Sequence, residues 1–217
     1  HQVLHIPCFE IEGINQKQIA GLENLQAPEV IVFNSQEAIE QAYPYVSNFW
    51  PDAALWVMGP QSLRCIQSLG AKASIAPAPH TSEALWTKLL DVYPRMQRAL
   101  LCTGKNRRGY LEAQFAAAGV ALTVAEVYQR RPLPQEDIAK RVKEHLQDMD
   151  LMVFFSADTL EYFVAALDAS VFSVLCLLPL WAISQRVADL AESLGFVNVQ
   201  VSPQASWKHL MQGLVLI

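Results

Sequence analysis

The chain repeats itself. VIVFNSQEAIEQ at 30–41 is answered by MVFFSADTLEYF at 152–163, ALWVMGPQSLRCIQSLG at 54–70 by PLWAISQRVADLAESLG at 179–195, and SIAPAPHTSEAL at 74–85 by NVQVSPQASWKHL at 198–210. The order of the three pairs is the same in both halves, which marks a duplicated module. Within each copy, short apolar, β-branched runs end on small polar residues and pass into helical periodicity. Strands that are apolar without alternation are buried on both faces, and helices between them supply the cover. The repeat therefore restricts the chain to parallel α/β sheets.

Read in order, a helix over 14–26 (Ile14, Ile19, Leu22, Leu25) is followed by strands over 29–33, 53–58, 74–78, 98–103 and 121–127. Between them lie helices over 36–49, 61–69, 83–92 and 106–118, with capping residues at Ser35 and Thr81 and stops at Gly70 and Gly119. The second half offers helices over 134–149, 159–167, 185–194 and 205–215, and strands over 151–155, 177–183 and 198–201. Val171–Ile183 is the most apolar run, broken by Ser173 and Pro179. It is shorter than the roughly 18 residues of a membrane span, so a buried hairpin or strand is expected there. The five tryptophans (Trp50, Trp56, Trp86, Trp181 and Trp207) sit mostly at apolar positions and are read as core.

The second copy lacks a counterpart to 98–119. His1–Pro7 can stand in for the strand at 121–127, so a strand and helix like those of 98–119 are expected ahead of His1, which is not an initiating Met. Two proline-marked extended segments, Val3–Ile11 and Glu126–Pro134, fall where the copies meet; Pro132 and Pro134 delay the next helix. The expected fold is two doubly wound (flavodoxin-like) parallel-sheet α/β domains. One spans 12–126, the other 134–217 with 1–6, and a two-stranded ladder of 7–11 and 127–133 joins them as a hinge.

Composition excludes several classes. With 52% apolar and 17% charged residues the chain fills a core, and a net charge of −5 argues against a nucleic-acid binder. The start, His1-Gln-Val-Leu-His5, shows no basic and no apolar region of a signal peptide. Cys8, Cys65, Cys102 and Cys176 are scattered without a C-x-x-C pair, which suits reduced cytosolic thiols and no metal site. A cytoplasmic monomer without membrane contact is expected.

The stretches VIVFNSQEAI, WVMGPQSLRCIQSLGA, CTGKNRRGYLEAQFAAAGVAL with VAEVYQRRP after it, LMVFFSADTLEYF, and WAISQRVADLAESLGF with VQVSPQAS after it resemble, in order and spacing, the uroporphyrinogen-III synthase family. The resemblance covers nearly the whole chain. It implies two α/β domains joined by a two-stranded ladder, no cofactor, and closure of the linear tetrapyrrole hydroxymethylbilane into uroporphyrinogen III. The last pyrrole is inverted through a spiro intermediate and water is lost. The chain departs from the family at Asn34 (usually Thr), at Ser184 after Ile183 (usually Gly) and at Val187 (usually Thr), and the family's first strand and helix are expected ahead of His1.

Such a substrate is a flexible polycarboxylate. Ligands of open α/β sheets lie at the carboxyl ends of strands, where helix N-termini offer unpaired N–H groups. The substrate-binding candidates are Asn34, Ser35, Gly59, Ser62, Gly104, Arg108, Ser156, Ser184 and Gln185. Each small polar residue alone is also an ordinary helix cap. Lys105, Arg107 and Arg108 suit carboxylate clamping, whereas Arg130 and Arg131 also suit protection of a sheet edge. Tyr128 matches the tyrosine at the start of the family's interdomain strand. A phenol can donate a proton to a leaving hydroxyl, so Tyr128 is the catalytic candidate. A two-domain, non-catalytic protein that binds a small anion, or a synthase-like domain that binds a partner, would show many of the same features.

Overall fold

The computed structural model describes residues 2–13, 21–105 and 109–203. It divides into two compact units, Ile11–Arg131 and the pair of segments His1–Glu10 and Pro132–Ile217.

In the larger unit, β2 (Val30–Phe33) is buried along its whole length, as a run of four apolar residues between two helical layers requires. Around it lie β3 (Ala54–Val57), β4 (Ser74–Ile75), β5 (Arg98–Gly104) and β6 (Ala121–Pro132), each paired in parallel with its neighbour. A further strand, β1 (Phe9–Gly13), lies beside β6, giving the order β1-β6-β5-β2-β3-β4. Numbered from β2, the five parallel strands run 3-2-1-4-5. That is the Rossmann-type order; the flavodoxin-like order anticipated from the sequence is 2-1-3-4-5. The crossovers from β2 go one way and the return to β5 goes the other, so the switch point falls between β2 and β5.

Helices α1 (Gln36–Phe49), α2 (Pro60–Ser68), α3 (Ser82–Val92) and α4 (Tyr110–Ala117) connect these strands. Helix α1 starts because Ser35 Oγ accepts the Ala38 N–H, and it buries Ala38, Ile39, Ala42 and Val46 along one stripe. Burying such side chains is worth roughly 1.5–3 kcal/mol each for the larger ones, and this fixes which face meets the sheet. Of the helix expected over 14–26, residues 21–26 are described, and there Gly21–Asn24 is a single 3₁₀ turn.

In the smaller unit, β7 (Met152–Phe154), β8 (Leu180–Ala182) and β9 (Val199–Val201) form a parallel sheet in that order. Helices α5 (Gln135–His145), α6 (Ala157–Ala165) and α8 (Gln185–Leu194) follow the sequence pattern. Residues 2–7 form no strand, contrary to the expectation that they complete this sheet, and the helix expected over 205–215 lies outside the described residues. The apolar run at 171–183 is not a hairpin or a single strand. Its first part belongs to helix α7 (Ala169–Leu175), which starts at Asp168, whose Oδ1 accepts the Val171 N–H at 2.9 Å. A cap of this strength outweighs the weak strand preference of Val and Phe, because a helix buried on one side satisfies its own backbone.

The duplication is visible in each unit taken by itself. Gly70 and Gly195, at φ +81° and +108°, end α2 and α8 in the left-handed conformation that glycine takes without strain. Trp56 on β3 and Trp181 on β8 are both buried, and neither indole N–H finds a partner among the described residues. The caps shift one part of the sequence alignment. Ser35 and Ser156 are equivalent N-caps, so Phe33-Asn34-Ser35 corresponds to Phe154-Phe155-Ser156, one residue from the pairing the strings suggest. Phe155 therefore takes the place of Asn34.

Candidate active site

The site is built at the switch point of the larger sheet. β2 ends at Phe33, and the Asn34 N–H continues the ladder to Cys102 O at 3.2 Å. Asn34 Nδ2 donates to Thr103 Oγ1 on β5, and Thr103 Oγ1 donates in turn to Gly104 O at 3.3 Å. Thr103 is fully buried. Asn34 Oδ1 is buried and accepts no hydrogen bond among the described residues. An unpaired buried amide oxygen costs about 1–3 kcal/mol, so Asn34 is retained here at a loss of stability.

Tyr128 reaches this point through an irregularity in β6. Thr103 pairs with Glu126 but Gly104 pairs with Tyr128, so one extra residue is accommodated on β6 between them. Simple alternation would turn successive side chains to opposite faces. Here Val127 and Tyr128 are both buried, at 0% and 9% exposure. The Lys105 N–H donates to Tyr128 O at 3.0 Å, holding the segment after the bulge. The Tyr128 ring lies over Gly104 so closely that a Cβ there would stand 2.6 Å from Tyr128 Cζ and 2.9 Å from its Oη. Ser35 Oγ, whose lone pair already takes the Ala38 N–H, donates to Tyr128 Oη at 3.1 Å. The phenol proton is then left to point away from Ser35.

Four of the sequence candidates, Asn34, Ser35, Gly104 and Tyr128, are thus brought into one cluster. Gly59 and Ser62 lie beyond the end of β3, the strand next to β2. Gly59 is the N-cap of α2, and a Cβ there would meet nothing within 4 Å; Ser62 is buried inside the helix. Lys105 is exposed at the end of β5, and Arg108 lies outside the described residues. Ser156, Ser184 and Gln185 belong to the smaller unit. Ser156 Oγ accepts the Thr159 N–H at 3.1 Å and bonds Thr159 Oγ1 at 2.7 Å. Ser184 caps α8 without a side-chain cap bond, and exposed Gln185 donates to Asp189 Oδ1 at 2.7 Å. Phe155, 49% exposed, stands at the end of β7. Thr103 is the member of the cluster that sequence reasoning passed over. Its one signal is a hydroxyl closing the apolar run Ala99–Cys102.

Burial without compensating charge raises the Cys8 thiol to about 11 and pushes Cys102, deeper still, up further. Neither is a nucleophile at neutral pH. Among the described residues no three His, Cys, Asp or Glu side chains converge as metal ligands, and no helix is long and apolar enough to cross a membrane.

Residues 1–212 match the family model described as uroporphyrinogen-III synthase HemD. This chain belongs to the uroporphyrinogen-III synthase family. Its activity is that of a cyclising lyase in tetrapyrrole biosynthesis. The fold of the synthase is shared with solved structures. A uroporphyrinogen-III synthetase from Helicobacter pylori is 11% identical, with 97% of this chain and 91% of that chain covered at a TM-score of 0.65. A mutant uroporphyrinogen III synthase from Thermus thermophilus is 16% identical, with 98% and 88% covered at a TM-score of 0.61. Comparison of the synthase with curated proteins gives no match.

Proposed function

We propose that the cluster at the switch point acts on the hydroxymethyl end of hydroxymethylbilane, with Tyr128 as the proton donor. The C–O bond of the hydroxymethyl group breaks as the phenol proton passes to the departing oxygen, and water leaves. The adjoining pyrrole nitrogen supplies the electron pair, giving an azafulvene. The terminal pyrrole attacks this carbon through its substituted α-position to form the spiro intermediate, which fragments and recloses inverted. The proton released on rearomatisation returns to the phenolate. Bonds and charges balance with the loss of one water, so no cofactor enters the scheme.

The observation that carries this reading is the meeting of the Tyr128 hydroxyl with Ser35 Oγ at 3.1 Å, beside Gly104 at the switch point. Ser35, Asn34, Gly59, Ser62, Gly104, Arg108, Ser156, Ser184 and Gln185 are proposed to receive the substrate, its carboxylates meeting helix N-termini. Holding a flexible bilane in a folded shape supplies much of the acceleration, because the azafulvene is reactive by itself.

The same proposal takes the chain as two α/β domains, 12–126 and 134–217 with 1–6, joined by a ladder of 7–11 and 127–133. It works as a cytoplasmic monomer that binds no nucleic acid. Adjacent β1 and β6 and the mild negative charge support this reading. The deciding experiment supplies enzymatically generated hydroxymethylbilane and separates the oxidised porphyrins. Isomer III is expected, with Tyr128→Phe slower by at least several-fold at unchanged fold. Isomer I alone, the product of spontaneous closure, would favour an anion-binding protein, and native kinetics for Tyr128→Phe would remove the phenol from the scheme.

A further inference from the structure

We infer that Thr103 is a positioning residue: the chain Asn34 Nδ2–Thr103 Oγ1–Gly104 O fastens the register shift that sets the Tyr128 hydroxyl against Ser35. The inference rests on Tyr128 being the proton donor.

A register shift in a parallel pair is a local defect. It leaves one residue outside the ladder and gives the strand freedom to slide back into plain pairing. At this bulge the partner strand contributes only three residues, Thr103, Gly104 and Lys105. Gly104 has no side chain, and Lys105 is exposed. Beside the main-chain bond from the Lys105 N–H to Tyr128 O, the Thr103 side chain is a second anchor. It is fully buried, and its hydroxyl has one bond to the next strand and one to the carbonyl of the residue under the Tyr128 ring.

A hydroxyl in this place is not explained by packing. Valine has the same shape and suits a buried strand end better, because it carries no polar group into the core. Asn34 compounds the point, since its amide reaches Thr103 while its own oxygen stays buried and unpaired. Two polar side chains bonded to each other across the seam where the larger sheet reverses its winding, one of them with its amide oxygen unpaired, indicate a geometry that must be held. What they hold is the main chain on which Tyr128 rests.

The test incorporates 3-fluorotyrosine and identifies the Tyr128 fluorine resonance among the six tyrosines by its absence in Tyr128→Phe. In Thr103→Val the Tyr128 resonance is expected to shift while the others stay. kcat should fall by about tenfold, as a displaced catalytic group predicts, with KM changed by less than about twofold. Thr103→Ser restores the hydroxyl and should return both readouts to native values. A native Tyr128 resonance in Thr103→Val overturns the inference, as does a serine variant that behaves like valine. A shifted resonance with native kcat, in a protein that Tyr128→Phe impairs, overturns it too. Should Thr103→Val fail to fold by far-UV circular dichroism, Asn34→Ala cuts the same chain from its other end and is judged by the same resonance. Full activity in Tyr128→Phe would cost the proton-donor reading, while the fluorine shift alone would still decide whether Thr103 places the ring.

Discussion

Gly104→Ala is the sharpest perturbation the structure offers. A methyl at this position would lie 2.6 Å from Tyr128 Cζ and 2.7 Å from Cε2, where ordinary contacts begin at 3.4 Å, so ring or strand must give by about 0.8 Å. The Tyr128 ring is buried beside the core of α1 and β2 and cannot swing freely. Moving it sideways lengthens the 3.1 Å bond from Ser35 towards the limit at which it ceases to be one. Overpacking of this kind costs about 1–3 kcal/mol, and an off-rotamer ring about 0.5–1.5 kcal/mol of that. Urea denaturation should therefore show a loss of about 1–3 kcal/mol, and kcat should fall by roughly 10- to 100-fold, with KM less affected. The assay pairs Gly104→Ala with Tyr128→Ala in a double-mutant cycle. Once the ring is gone the alanine meets no clash, so most of its cost should vanish in that background and appear as a coupling energy of at least ~1 kcal/mol. Equal costs for Gly104→Ala with and without the ring would refute the steric argument, and native kcat in Gly104→Ala would refute the claim that the ring's place matters.

Other expectations are simpler. Tyr162 Oη donates to Leu133 O at 2.9 Å while its ring packs on Phe9 at 5.0 Å, so Tyr162→Phe should keep the packing and lose about 0.5–1.5 kcal/mol in urea denaturation. Hydrogen bonds from Lys143, then from Ser170 and the Val171 N–H, hold the Asp168 carboxyl well below the usual carboxylate range. A depressed folded-state value stabilises above the unfolded one, so the Tm gap between native protein and Asp168→Asn should be constant from pH 5 to 8. It should then shrink as pH falls below about 4. A gap that widens in acid would show the sign to be wrong. Cys8 and Cys102 are buried and Cys65 and Cys176 half-buried, so iodoacetamide at pH 8 should label only the latter pair until denaturant is added, Cys65 slowly because burial and then Glu40 and Glu37 raise its thiol too.

Much of this was written in local chemistry. Ser35, Thr81 and Ser156 read as caps and are caps, because a hydroxyl ahead of a periodic run has little else to do. Gly70 and Gly119 read as stops and take the left-handed conformation. The order of the larger sheet was not legible as 3-2-1-4-5, since hydrophobic runs say which strands are buried and nothing about which edge each joins. Helix α7 hid behind the apolar run Val171–Leu178, whose residues suit a strand as well as a buried helix; the cap at Asp168 was the overlooked signal. In the site, the turn at Asn34-Ser35 and the tyrosine were legible one by one. Their meeting was not, because it depends on a bulge between Thr103 and Gly104 that no residue type announces.

That bulge makes the position of Tyr128 a matter of counting as well as of chemistry. Even pairing beyond Thr103 would set Val127 against Gly104 in place of Tyr128 and would turn the phenol to the opposite face, with every side chain of the strand still chemically intact. Across related chains, the paired stretch up to the tyrosine should stay one residue longer than the stretch of its neighbour up to the glycine, however many letters are exchanged along either.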